Sequence, residues 1–135
     1  MLKIEGGGFT VLLPGDIEKA AEQRLLAIHR ERLKSEVLIA PHQGSKTPST
    51  AEFVQAVQPK VVIYGAGWRN HFRHPRPEVV ERYTAIGAQQ FSTGNSGTVS
   101  VWNEGGVLTV EEWRREAAKF WNAKAEELPT DSLSP

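Results

Sequence analysis

Apolar runs of four or five residues alternate along the chain with stretches whose apolar positions recur every three or four residues. Phe9-Thr10-Val11-Leu12-Leu13 reads as a strand stopped by Pro14-Gly15. Ile17, Ala21, Leu25 and Ile28 then fall at helical spacing and predict an amphipathic helix to about residue 33, with Asp16 at its N-cap. Residues 37–40 form a second strand, closed by Pro41. After the polar loop His42-Gln43-Gly44-Ser45-Lys46-Thr47-Pro48-Ser49, either Ser49 or Thr50 can cap a helix over 51–57. Residues 60–64 are a third strand. Pro77 suits the first turn of a helix over 78–86, which Gly87 ends. Residues 88–92 and 98–102 read as a hairpin around the turn 93–97, and 107–110 as one more short strand after Glu104-Gly105-Gly106. A last helix is expected over 109–124, with Trp113, Ala117, Phe120 and Trp121 on one face.

Alternation of strand and helix predicts an α/β fold, a layered mixed sheet with flanking helices. At 135 residues there is room for one domain, read here as a lead over 1–8, a folded part over 9–124 and a flexible polar tail over 125–135. The absence of cysteine excludes disulfides, thiol nucleophiles and zinc–thiolate sites. No apolar run approaches the ~20 residues that span a bilayer, and the first eight residues lack a signal peptide's apolar stretch. Sixteen basic and sixteen acidic residues balance, so any surface for nucleic acid must be a local patch rather than a global basic coat.

Two polar segments follow strands directly: Pro14-Gly15-Asp16 and Pro41-His42-Gln43-Gly44-Ser45. In layered α/β folds ligands gather beyond the carboxyl ends of strands. If these strands run parallel, a carboxylate and an imidazole reach one sheet edge, a donor pair that suits zinc or manganese. The residues alone allow a plainer alternative, in which Asp16 is only a helix cap and His42 a polar loop residue.

The wording of these segments carries a resemblance. Leu12-Leu13-Pro14-Gly15-Asp16-Ile17-Glu18 is similar to the Leu-Leu-Thr-Gly-Asp motif of metallo-β-lactamase-fold hydrolases, and Pro41-His42-Gln43-Gly44-Ser45-Lys46-Thr47 resembles the His-His-Gly-Ser motif of one branch. That branch is the ComEC-type DNA internalisation competence proteins. The strand Val61-Val62-Ile63-Tyr64, the loop Arg73-His74-Pro75-Arg76-Pro77-Glu78-Val79 and the aromatic C-terminal segment match the same branch in order. The resemblance implies the C-terminal half of an αββα metallo-β-lactamase fold. It implies Asp16 and His42 as metal ligands, Ser45 and Lys46 as phosphate contacts, and His74 as a catalytic group behind the metal that holds or carries a proton. It implies a divalent zinc or manganese cofactor in the complete domain, DNA as partner, and a parent protein in the bacterial inner membrane that takes up DNA during transformation.

The departures bound what this chain does by itself. The family's His-x-His-x-Asp-His motif is absent, since the four histidines are His29, His42, His71 and His74. Gln43 replaces the second histidine of His-His-Gly-Ser, and Arg73 stands where glycine is usual before His-Pro, so that loop is expected to differ in backbone shape. Catalytic zinc takes about three protein ligands and a two-metal site more, so weak or no metal binding and no hydrolysis are expected of the isolated chain. The runner-up reading is a non-catalytic module that contacts DNA or protein. A half-domain is expected to pair with its missing N-terminal half or to self-associate through an open sheet edge. Trp68 and Phe72 lie among Arg69, His71, Arg73, His74 and Arg76, a mixture that either holds single-stranded nucleic acid or is a solvated loop whose aromatics cover the core. His29, near a helix C-terminus, reads as structural.

Overall fold

A computed structural model describes residues 1–117. Five strands form one sheet in spatial order β1 (Leu2–Gly6), β2 (Phe9–Leu13), β3 (Val37–Ile39), β4 (Val61–Tyr64) and β5 (Gln89–Ser92). β1 pairs antiparallel with β2 through the Gly7-Gly8 turn, and β2 to β5 run parallel. Helices α1 (Lys19–His29), α2 (Ala51–Val57) and α3 (Pro77–Ala85) link the parallel strands, as parallel neighbours require. A short turn of helix, α4 (Thr93–Ser96), leads to a separate hairpin, β6 (Val99–Glu104) with β7 (Val107–Glu112), and then to α5 (Trp113–Glu116).

Period-two alternation sorts the strand side chains into two layers. Leu12, Leu38, Val62 and Tyr64 point to the helices and pack with Phe53, Val54, Val57, Val79 and Tyr83 in the main core. Val37, Val61 and Ile63 point the other way, where Val99, Val101, Leu108 and Val110 of the hairpin cover them together with Phe91. Both faces of the central strands are thus dry, which is why 61–64 reads as a continuous apolar run. The predicted layered α/β fold is the observed one.

Four local expectations are corrected. Residues 88–92 do not form a hairpin with 98–102: β5 joins the parallel sheet, and β6 turns back on β7 at Gly105-Gly106. The segment 109–112 is strand rather than helix, and Trp113 on α5 is largely exposed. Phe120, Trp121 and the tail lie outside the described residues. Asp16 is not the cap of α1; Glu18 holds that position, because Gly15 (φ +73°) turns the chain and Ile17 packs on the core before the helix begins. The face of α1 is also mixed, for Ile28 is exposed while Glu22 is fully buried. Thr50 is the cap of α2, its hydroxyl accepting from Phe53 N at 3.3 Å. β1 is an edge that the sequence pattern does not announce, with Leu2 and Ile4 exposed on it.

Candidate functional site

Strands β2, β3 and β4 run parallel and release their loops at one edge. Main-chain bonds knit these three loops together: His42 N donates to Gly15 O at 3.1 Å, and Arg76 N donates to Gly44 O at 2.9 Å. The second loop is wound tightly, with His42, Gln43 and Gly44 in succession at φ of 44°, 56° and 84°. Such a run is costly for residues with a Cβ. Gly44 is required where it is, because a Cβ there would lie 2.7 Å from Pro75 Cβ and from a Tyr64 ring carbon.

That winding brings His42 to a second histidine. The His42 and His74 rings meet edge to face with centroids 6.2 Å apart. His42 Nδ1 lies 2.7 Å from Glu18 Oε1 on the first loop. With the carboxylate taking the Nδ1 proton's hydrogen bond, Nε2 is left as the free lone pair. His74 is fixed at its backbone by Asn70, whose Oδ1 accepts from His74 N at 2.7 Å and whose Nδ2 donates to His74 O at 2.9 Å. Burial foremost, then its neighbours Arg76 and His42, hold the His74 imidazole below its ordinary pKa.

Two polar atoms in this region are buried without a partner among the described residues: Ser45 Oγ and His74 Nδ1. Buried hydroxyls and ring nitrogens are almost always satisfied, so these two atoms stand apart from the rest of the described residues. Ser45 is 8% exposed. Lys46 by contrast is exposed and reaches Glu78 at 3.8 Å. It lines a groove of about 890 Å³ between α1 and α2 with Lys19, Arg30 and Arg82.

The structure therefore gathers His42, Ser45 and His74 at one edge, with Glu18 and Asn70 as supports. Asp16 follows Gly15 beside His42 in the backbone, but its side chain is exposed and has no hydrogen bond or ion pair among the described residues. Among the described residues no group of three or more histidines and carboxylates gathers to hold a metal ion. The donors present do not make a complete metal centre, and no chemical step is derived through one. Arg73 takes φ +52°, so arginine adopts here the left-handed backbone that glycine visits freely.

Sequence reasoning missed Glu18, Asn70 and Glu22. Glu22 is buried against the start of α2, where its carboxylate accepts from Ser49 N and, at 3.0 Å, from Thr50 N. Tyr83 Oη donates to Ser49 Oγ at 2.9 Å and Arg82 Nη1 to Ser49 O at 2.9 Å. Only the position of Glu18, two residues beyond Asp16, gave any hint. Helical spacing cannot tell a buried glutamate from a solvated one.

No protein-family model matches the chain. It is 30% identical over 132 residues to the uncharacterized protein YcaI of Escherichia coli K12, covering 98% of this chain and 18% of that protein. It is 34% identical over 99 residues to ComE operon protein 3 of Bacillus subtilis, covering 73% of this chain and 13% of the relative. With competence protein ComA of Neisseria gonorrhoeae it shares 32% identity over 99 residues, 73% of this chain and 14% of the relative. The chain spans less than a fifth of the length of these curated relatives.

Proposed function

Because the chain belongs with the ComEC-type competence proteins over about three quarters of its residues, we propose that it is a DNA-handling portion of a DNA-uptake protein used in transformation, folded as the C-terminal portion of a metallo-β-lactamase-like hydrolase domain. The observation that carries this reading is the pair of orphaned buried atoms, Ser45 Oγ and His74 Nδ1, beside His42 at the edge where three parallel strands end. A phosphodiester at this edge is proposed to draw on both once the loop yields, since neither atom reaches solvent in the structure: Ser45 would donate its hydroxyl proton to a phosphoryl oxygen, and His74 would accept a proton as a base. Lys46 adds positive charge at the rim. His42, with Nδ1 tied to Glu18, presents Nε2, and Asp16 presents a carboxylate one residue past the Gly15 carbonyl. These two are proposed as donors to a zinc or manganese ion whose remaining ligands the described residues do not provide. The parent is proposed to be membrane-associated; none of the described helices is long and apolar enough to cross a membrane.

Manganese-dependent cleavage of labelled DNA by the complete domain tests the hydrolase reading. Activity should fall at least a hundredfold in His42→Ala, in line with loss of a group acting on the transition state (on the order of 10²–10⁴ for acid–base groups). Undiminished activity in His42→Ala and His74→Ala together would overturn it. The second reading, a binding module that does no chemistry, is favoured by one feature: Gln43, a poor ligand, beside His42. Gln43→His in the complete domain separates the two, since a gain from no cleavage to cleavage identifies a degenerate natural site. Calorimetric titration of the chain itself with zinc or manganese should give weak binding; a sub-micromolar two-site isotherm would contradict that.

A further inference from the structure

The loop between β4 and α3 displays an aromatic ring that the core does not use. Phe72 is 72% exposed, so it does not cover the core. Its position is built rather than loose. Asn70 and His74 are joined by two side-chain bonds, and Arg73 N donates to Asn70 O at 3.2 Å. These three bonds close a small ring of chain and push residues 71–73 outward with Phe72 at the tip. Arg69 and Arg73, both at φ +52°, make the corners. A left-handed backbone is unfavourable for residues with a Cβ, and the surrounding bonds maintain it at both corners.

The loop that carries that ring has charge of one sign only. From Gly65 to Pro77 the sequence carries Arg69, Arg73 and Arg76 with His71 and His74, and not one carboxylate. All three arginines are in contact with solvent. The Phe72 ring also lies 5.9 Å from the His74 ring, which in turn lies 6.2 Å from His42. A file of three rings thus runs from the loop tip to the edge where the orphaned atoms sit.

We propose that Phe72 is a stacking platform for one base of single-stranded nucleic acid, with Arg69, Arg73 and Arg76 holding the flanking phosphates. An exposed aromatic face takes any base, and guanidinium groups take any phosphate, so the platform is indifferent to sequence. It rejects duplex, because paired bases cannot turn a face to Phe72. The file of rings then leads the next phosphate of the strand toward Ser45 and His74. This rests on the reading above that the site receives a phosphodiester, but binding requires neither metal nor cleavage, so the two can fail separately.

The test is fluorescence anisotropy of the 135-residue chain with labelled oligothymidylate and with a blunt duplex of equal length, without added metal. Single strand should bind more tightly than duplex. Phe72→Ala should weaken it about five- to hundredfold, and Phe72→Trp should restore it, with quenching of the new indole on binding. Arg73→Gln should flatten the salt dependence by roughly 0.7 in the log–log slope. A Phe72→Ala variant that binds as the parent does, or a chain that binds duplex as well as single strand, would overturn the platform. Circular dichroism of Phe72→Ala should be unchanged, because the ring is 72% exposed and touches the His74 ring without entering the core. Failure of cleavage in the complete domain with this preference intact would sink the hydrolase and leave the platform standing.

Discussion

Nδ1 of His42 sits 2.7 Å from Oε1 of Glu18, across a gap of 24 residues in sequence. Both side chains are half-exposed, so the pair orients the imidazole more than it stabilises the fold. Glu18→Ala should cost less than about 1 kcal/mol of stability, as exposed pairs do. Nitrogen-15 correlation spectra of the His42 ring should show the Nδ1-protonated tautomer in the parent and a mixture in Glu18→Ala. Identical ring spectra in the two proteins would remove Glu18 from the site.

Ser45 offers a test with an unusual sign. Its hydroxyl is buried with no partner among the described residues, and such a group costs roughly 1–3 kcal/mol. Ser45→Ala should therefore raise the midpoint of urea unfolding, by about 1 kcal/mol in free energy, while weakening phosphodiester binding. A destabilised Ser45→Ala would mean that the hydroxyl is satisfied in solution and that the orphan argument is unsound.

Glu22 makes stability depend on pH. Burial raises its pKa above 4.5, against the lowering effect of the Thr50 and Ser49 amides and of Arg82. The folded state therefore holds the proton more tightly than the unfolded one. The stability this contributes is fully present below about pH 4.5 and is lost as pH rises through the folded value. Glu22→Gln removes the titration and places an amide NH₂ against one of the two backbone donors. The parent should exceed Glu22→Gln most in acid, and the gap should narrow toward neutrality in urea melts run at several pH values. A gap that widens with pH would reverse the sign assigned here.

Gly44→Ala should be severely destabilising. The added methyl would meet Pro75 and Tyr64 at 2.7 Å on a backbone at φ +84°, two penalties that together come to roughly 2–4 kcal/mol. Chemical denaturation measures this directly. A loss below 1 kcal/mol would show that the loops of β3 and β4 separate easily.

The layered fold was legible because buried parallel strands read as unbroken apolar runs, as Val61-Val62-Ile63-Tyr64 does, and because Thr50, Pro77 and Gly87 punctuate the helices. The hairpin was misassigned for a physical reason. Thr93-Gly94-Asn95-Ser96-Gly97 has turn composition, yet it winds into α4 against the Ala66 and Gly67 backbone, where a Cβ on residue 94 would lie 2.8 Å from Gly67 O. That long-range fit leaves no trace in local pattern. β1 was invisible because Leu2-Lys3-Ile4-Glu5 is short and leaves its apolar residues half in water. At the site, His42, Ser45 and His74 could be named from the wording of their loops. Glu18 and Asn70 could not, since what they do depends on chain segments that only folding brings beside them.

The two bonds from His42 N to Gly15 O and from Arg76 N to Gly44 O use main-chain atoms alone. Those two contacts are indifferent to which side chains stand at positions 43 and 46, while Asn70 and Glu22 brace the same loops through their own side chains. Replacing Gln43 by histidine, or Lys46 by another residue, therefore changes the side chains this edge presents while both main-chain bonds between the loops stay in place.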